Sequence, residues 1–188
     1  MAQAKTLTPA ELDQTLAYIS QHRFAYRNRV MLLVGMWSGM RVGEIASLTV
    51  GDVLNLDGTV KSEVRLTAEQ TKGRHPRTVF MPKKLRDEIA AYLTLRKPTK
   101  LEQPLFVTAG SKAFTANVLT QNFFWLFKRA GIAGATSHSM RRTFITNLAN
   151  KGIGVRILAS LAGHRSIAVT QKYIDVNDEM KRNAVELV

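Results

Sequence analysis

The 188-residue sequence has no cysteine. That excludes disulfides, thiolate-bound zinc and a cysteine nucleophile, and it fits a reducing compartment. Acidic residues are scarce. Against 27 Lys and Arg stand only 14 Asp and Glu, so the formal net charge is +13 and the pI is about 10.4. A nucleic-acid partner accounts for such an excess better than an anionic membrane surface does, because no polybasic amphipathic helix stands out. No apolar run approaches the roughly 18 residues needed to cross a bilayer. The polar start, Met1 to Thr8, lacks the apolar centre of a signal peptide. The expectation is a cytoplasmic protein with no membrane partner. Internal repeats, low-complexity tracts, a Gly-rich phosphate loop and a helical histidine pair spaced for zinc are all missing.

What is present suits one domain, since 45% hydrophobic residues can build a sizeable core. Thr8-Pro9-Ala10-Glu11 reads as a helix start with a capping box. A core helix follows from about Tyr26 to Ser38 and stops at Gly39. Arg41 then opens a short helix through Leu48, with Glu44 three residues on and within reach of it. Val53 to Leu56, Asp57-Gly58, Val60 to Leu66 and Arg77 to Met81 predict a three-stranded antiparallel sheet. Lys72, Arg74, His75 and Arg77 form a basic tip between its last two strands. Pro82 to Arg96 and Thr115 to Ala130 read as helices. The dense Phe123, Phe124, Leu126 and Phe127 of the second are assigned to the core. The fold class is α+β, mostly helical with one small sheet.

The chemistry concentrates between His138 and Tyr173. His138 and Arg141 lie three apart on a helix that Ser137 is placed to cap. Gly163-His164 ends a short helix, and Ser166 starts the next, with Tyr173 two turns in. A break at Arg165-Ser166 is needed for His164 and Tyr173 to converge, because nine residues along one helix would set them on opposite faces. Together these groups suit a phosphate diester. Arginine neutralises non-bridging oxygens, histidine moves protons, and tyrosine is a covalent nucleophile. Each residue alone has an ordinary structural reading; the combination is what carries the assignment.

The order of these pieces resembles the tyrosine recombinase, or phage-integrase, family. The matching stretches are Ser38-Gly39-Met40-Arg41-Val42-Gly43-Glu44, Thr71-Lys72-Gly73, His138-Ser139-Met140-Arg141-Arg142-Thr143-Phe144, and Leu161-Ala162-Gly163-His164-Arg165-Ser166 followed by Tyr173. The resemblance runs from about Leu7 to Asp175. Met140 stands where the family commonly has leucine, and Arg142 where histidine is commoner.

The resemblance implies a site-specific recombinase that cleaves and rejoins DNA through a 3′-phosphotyrosyl bond, in integration, excision or inversion. It implies Tyr173 as nucleophile, Arg41 and Arg141 on the phosphate, Lys72 as acid, His138 in proton transfer and His164 as a phosphate donor, with Glu44 supporting Arg41. Lys61 and Lys83 are rivals for the place of Lys72. Arg74, Arg77, Arg142 and Arg165 are DNA-binding candidates. No metal or other cofactor is implied.

The implied partners are double-stranded DNA, other copies of the chain in a tetramer on DNA (a monomer when free), and accessory DNA-bending proteins. Residues 1–188 are expected to be one catalytic domain without the helical DNA-binding domain that most members carry before it. That means either an isolated catalytic domain or a small single-domain member of the fimbrial-switch type. The C-terminal helix, Asn177 to Val188, is expected to pack on a neighbouring protomer through Met180, Ala184 and Leu187. Two other readings share the fold: a DNA-binding regulator without chemistry, and a type IB topoisomerase-like relaxer.

Overall fold

Helix α2 (Ala25–Ser38) is the centre of the molecule. Every residue from Val30 to Met36 is buried, and a helix apolar on all sides has to be enclosed by others. A computed structural model, which describes residues 4–174 and 178–186, shows how. Helices α1 (Pro9–Ser20), α3 (Val42–Ser47), α5 (Lys83–Arg96) and α7 (Ser137–Asn150) pack against α2. Helix α4 (Val50–Val53) touches strand β1 (Glu63–Leu66), which pairs antiparallel with β2 (Arg77–Phe80). Helix α6 (Ala116–Arg129) lies along α3, while α8 (Val155–Ala162) joins α7 to α9 (Ile167–Gln171). Helix α10 (Asp178–Val185) completes the described chain.

Local sequence sets most boundaries. Thr8 accepts from the Glu11 amide and the Glu11 carboxylate accepts from the Thr8 amide, so the expected capping box starts α1. Gly39 ends α2 in the left-handed region, at φ +66°. The Phe144 ring packs on its bare face, where a Cβ would lie 2.4 Å from Phe144 Cδ1. This turn aims the chain from the core helix straight into Arg41.

The sheet is smaller than expected, with two strands among the described residues instead of three. Of the stretch read as a first strand, Leu54 to Leu56 form no strand and Val53 is the last residue of α4. Thr49 caps that helix and Asp52 reaches back to the Thr49 amide at 2.8 Å. A Thr-x-x-Asp capping box here overrides the β-branched character of Val50 and Val53. The Asp57-Gly58 turn is present, but it closes only the single bridge Leu54–Val60.

Helix α6 departs in one respect. Phe123, Leu126 and Phe127 are buried as expected, whereas Phe124 faces outward at 41% exposure beside Trp125. Helical spacing turns residue 124 about 100° away from 123, so a run of adjacent aromatics cannot all face one core. Among the described residues no helix is long and apolar enough to cross a membrane. The expected C-terminal helix is present as α10, although Asn177, the Met180 side chain, Leu187 and Val188 lie outside the described residues.

Gly39→Ala should cost about 2–4 kcal/mol, from left-handed strain plus displacement of Phe144. Gly152→Ala, also at positive φ but with open space around the new Cβ, should cost only the strain. Urea unfolding of both variants checks this; equal losses would contradict the role given to Phe144.

Candidate active site

Glu44 is the organising carboxylate. It sits in the first turn of α3, with its side chain 1% exposed. Arg41 approaches from its own helix start: its amide donates to Glu44 Oε2 at 2.8 Å and its Nη1 to Oε1 at 3.0 Å. Arg77 approaches from β2, donating through Nη2 to Oε2 at 2.7 Å and through Nε to Oε1 at 3.2 Å. Such a two-point contact suits the guanidinium fork. Burial by itself would raise the Glu44 pKa. The hydrogen bond and charge of Arg77, with those of Arg41, outweigh it and hold the carboxyl below its ordinary range.

The end of α8 supplies the remaining acceptors. The carbonyls of Leu161, Ala162 and Gly163 each accept from a different arginine, Arg77, Arg141 and Arg41 respectively. Arg141 Nη1 also donates to Gly39 O at 2.7 Å. Terminal helix carbonyls lack partners within the helix and carry partial negative charge, so this end is a natural seat for cations. The Arg77 stem lies on Gly163 so closely that a Cβ there would be 2.6 Å from Arg77 Cδ.

Three guanidinium groups thus lie near one buried carboxylate, Arg41 and Arg77 bonded to it and Arg141 held by the carbonyls of Gly39 and Ala162. The imbalance shows in the protonation equilibria. Burial, then repulsion from Arg41, pushes the Arg141 pKa down to about 9, so it stays cationic at neutral pH. Burial, then Arg141, Arg41 and Arg77, pushes His164 down to about 4. His164 is therefore neutral at pH 7, with Nδ1 2.8 Å from Thr170 Oγ1.

The other expected groups meet at the same place. One cleft of about 820 Å³ is lined by Arg41, Lys72, His138, Arg141, His164 and Tyr173 together. A second hollow of about 550 Å³ shares Arg41, Lys72 and His164 with it and adds Arg77 and Arg165. Lys72 stands exposed on the β1–β2 connection, whose base is tied down by Gln70 donating to Asp52 at 2.8 Å. Its rivals are engaged otherwise: Lys61 donates to Gly51 O at 2.7 Å and Lys83 pairs with Asp87.

His138 lies in the first turn of α7, which Thr136 caps instead of the expected Ser137. Tyr173 comes just after α9, not two turns into a helix. Its ring stacks on His164 with centroids 5.7 Å apart. Among the described residues no group of three or more His, Asp or Glu side chains is placed to hold a metal ion.

Of the four arginines expected to meet DNA, Arg74 and Arg165 are exposed. Arg77 and Arg142 are instead engaged within the protein, Arg77 by Glu44 and Arg142 by Thr6. Sequence reading missed the Arg77–Glu44 pair because 33 residues separate the partners. It also missed Thr170, which is fully buried behind His164. A Thr six residues past a Gly-His turn is too common a pattern to signal that contact.

Glu44→Gln should lower stability at pH 7 by about 3–5 kcal/mol, since it leaves buried guanidinium charge uncompensated. The lowered Glu44 pKa means its contribution is complete above the unfolded value near 4.5 and is lost as pH falls through the folded value. The depressed His164 pKa adds a separate loss between 6.5 and about 4. Urea unfolding across pH 3–7 should show both declines in the wild type and only the His164 one in the variant. Matching profiles would contradict the hub.

The phage integrase family model matches residues 5–180. The tyrosine recombinase XerA of Thermococcus kodakarensis is 34% identical over 185 residues, covering 97% of this chain and 62% of that protein. A crystal structure of XerA recombinase superposes with a TM-score of 0.79 at 26% identity, covering 100% of this chain and 66% of the other. The Tn1549 transposon integrase in complex with circular intermediate DNA has the same fold, with a TM-score of 0.75 at 22% identity, covering 99% of this chain and 67% of that one. The chain thus spans about three-fifths of the length of the curated relative. With the family model covering nearly the whole chain and the fold matching, this protein belongs to the phage integrase family.

Proposed function

We propose that this chain is the strand-cleaving and rejoining unit of a site-specific DNA recombinase. The observation that carries the reading is the single cleft lined by Arg41, Lys72, His138, Arg141, His164 and Tyr173. Five cations, Arg41, Lys72, Arg77, Arg141 and Arg165, face two carboxylates, Glu44 and Glu69, across this cleft and its neighbour. A site with excess buried positive charge favours an anionic ligand, and a phosphate diester has the right charge and oxygens. The names of the relatives, tyrosine recombinase and integrase, point the same way.

In this scheme Tyr173 Oη attacks the phosphorus and the bond to the 5′ oxygen breaks, leaving a 3′-phosphotyrosyl link. His138 takes the phenolic proton. Lys72 gives a proton to the departing 5′ oxygen from its exposed loop at the edge of the cleft. Arg41 and Arg141 hold the non-bridging oxygens as charge builds, and His164 adds a hydrogen bond. Rejoining is the reverse: a 5′ hydroxyl attacks the phosphotyrosine and the phenol regains its proton. The covalent link keeps the bond energy, so no cofactor enters.

Arg74 and Arg165, being exposed, are the groove and backbone contacts of this scheme, and the overall charge gives binding a steep salt dependence. Exchange between two duplexes needs four protomers on the DNA. Helix α10 is a candidate for joining them, since its Ala184 and Val185 are exposed. The setting would be the cytoplasm, with accessory DNA-bending proteins as further partners.

The test is covalent trapping on labelled nicked duplexes taken from DNA flanking the gene, resolved on a denaturing gel. Wild type should form a protein–DNA adduct and Tyr173→Phe should not. An adduct in the variant would reject Tyr173 as nucleophile. Intact binding without any adduct would make the chain a non-cleaving DNA binder.

A further inference from the structure

Arg142 is buried to 8% exposure on α7, directly after the phosphate-facing Arg141. Its side chain makes two contacts of different kinds. Nε donates to Thr6 Oγ1 at 3.1 Å, on the segment leading into α1. The guanidinium carbon lies 5.5 Å from the centroid of the Tyr173 ring, within cation–π range. One turn further along α7, Thr146 Oγ1 donates to the Tyr173 carbonyl at 3.3 Å. Helix α7 therefore holds Tyr173 at both ring and backbone, while His164 stacks on the same ring.

A further detail concerns the hydrogen bonding of Arg142, and Arg86 and Arg96 share it. The Arg142 Nη1 is buried and has no hydrogen-bond partner. Leaving a buried charged donor unmatched costs stability, so such a group calls for a compensating role. Beside the Thr6 hydroxyl, the structure places the π-face of Tyr173 against this guanidinium. The arrangement also extends outward: Thr143, the next residue, accepts from the Leu7 amide at 2.9 Å. Adjacent residues of α7 thus grip adjacent residues of the N-terminal segment, and one of them also touches the tyrosine.

We propose that Arg142 is a positioning residue for Tyr173, and that the segment through Thr6 and Leu7 sets Arg142 and hence the tyrosine ring. Arg142 does not touch the reacting phosphate in this arrangement. It fixes where the phenol waits. The chain entering α1 then has a mechanical line to the site: Thr6 to Arg142 to Tyr173. A pull or release at the N-terminal segment changes ring placement without altering the phosphate-binding arginines. The kinetic part rests on Tyr173 being the nucleophile; the placement of the ring does not.

The experiment has two arms, so that failure of the proposal and failure of the assigned chemistry are distinguishable. In the first, the chain is labelled with ring-13C tyrosine, and the Tyr173 signal is identified by its loss in Tyr173→Phe. Arg142→Met and Thr6→Val should both shift the Tyr173 ring signal, leaving those of Tyr18, Tyr26 and Tyr92 in place. Thr6→Val is the milder change and serves if Arg142→Met folds poorly. In the second arm, adduct formation on saturating nicked duplex should slow about ten- to a hundredfold in Arg142→Met, the loss expected of a misplaced nucleophile. DNA affinity should change less than about twofold, because the phosphate ligands are untouched. An unmoved Tyr173 signal in Thr6→Val overturns the line from the N-terminal segment. An unmoved signal in both variants overturns the proposal whatever the chemistry.

Discussion

The buried carboxylate of Glu44 is what the rest of the site depends on. A carboxylate with 1% exposure is tolerable only when fully paired, and here Arg41, at the cap of α3, and Arg77, on β2, supply the pairing. Those partners come from distant parts of the chain. Arg41 follows the Gly39 turn out of the core helix, and Arg77 leads out of the loop that carries Lys72. The same two arginines, with Arg141, take up the last carbonyls of α8, which fixes the Gly163-His164 turn. One ion-pair cluster therefore sets the relative positions of α2, α3, β2, α7 and α8. Stability and site geometry rest on the same contacts.

The cluster is deliberately unbalanced in charge. Three guanidinium groups surround one carboxylate, and the strain appears as lowered pKa values for Arg141 and His164. In a folded protein such an excess is costly unless a ligand completes it. In the proposed scheme a phosphate diester would complete it, with the arginines already held by Glu44 and the α8 carbonyls. Preorganised donors of this kind cost no reorganisation at the moment charge develops. The neutral state of His164 follows from the same field, and an anion between the arginines would relieve it.

How much of this was legible in the sequence varies with the range of the interaction. Capping boxes are local, and the Thr8–Glu11 start of α1 was read correctly. The Thr49–Asp52 box was overlooked; it draws Val53 into α4, and the strand expected from Val53 to Leu56 is reduced to one bridge at Leu54. The Asp57-Gly58 turn was real, but a turn alone does not lengthen a ladder beyond Leu54–Val60. The six polar groups of the cleft were legible through family resemblance, not through periodicity. What stayed hidden were contacts between residues far apart in sequence: Arg77 with Glu44, Arg142 with Thr6 and Tyr173. An arginine count carries no information on which guanidinium is spent inside the protein and which stays exposed.

The most direct test of the central claim is whether an anion stabilises the chain through this cluster. Urea unfolding at neutral pH would compare sodium phosphate with sodium chloride at equal ionic strength, in wild type and in an Arg41→Ala, Arg141→Ala double variant. The variant corrects for the general salting effect of phosphate. If the cluster is an anion site, wild type gains stability in proportion to the logarithm of phosphate concentration once the site fills, and the double variant does not. An equal gain in both proteins would mean that the arginines serve only the fold, and the reading of the cleft as a phosphate site would fall.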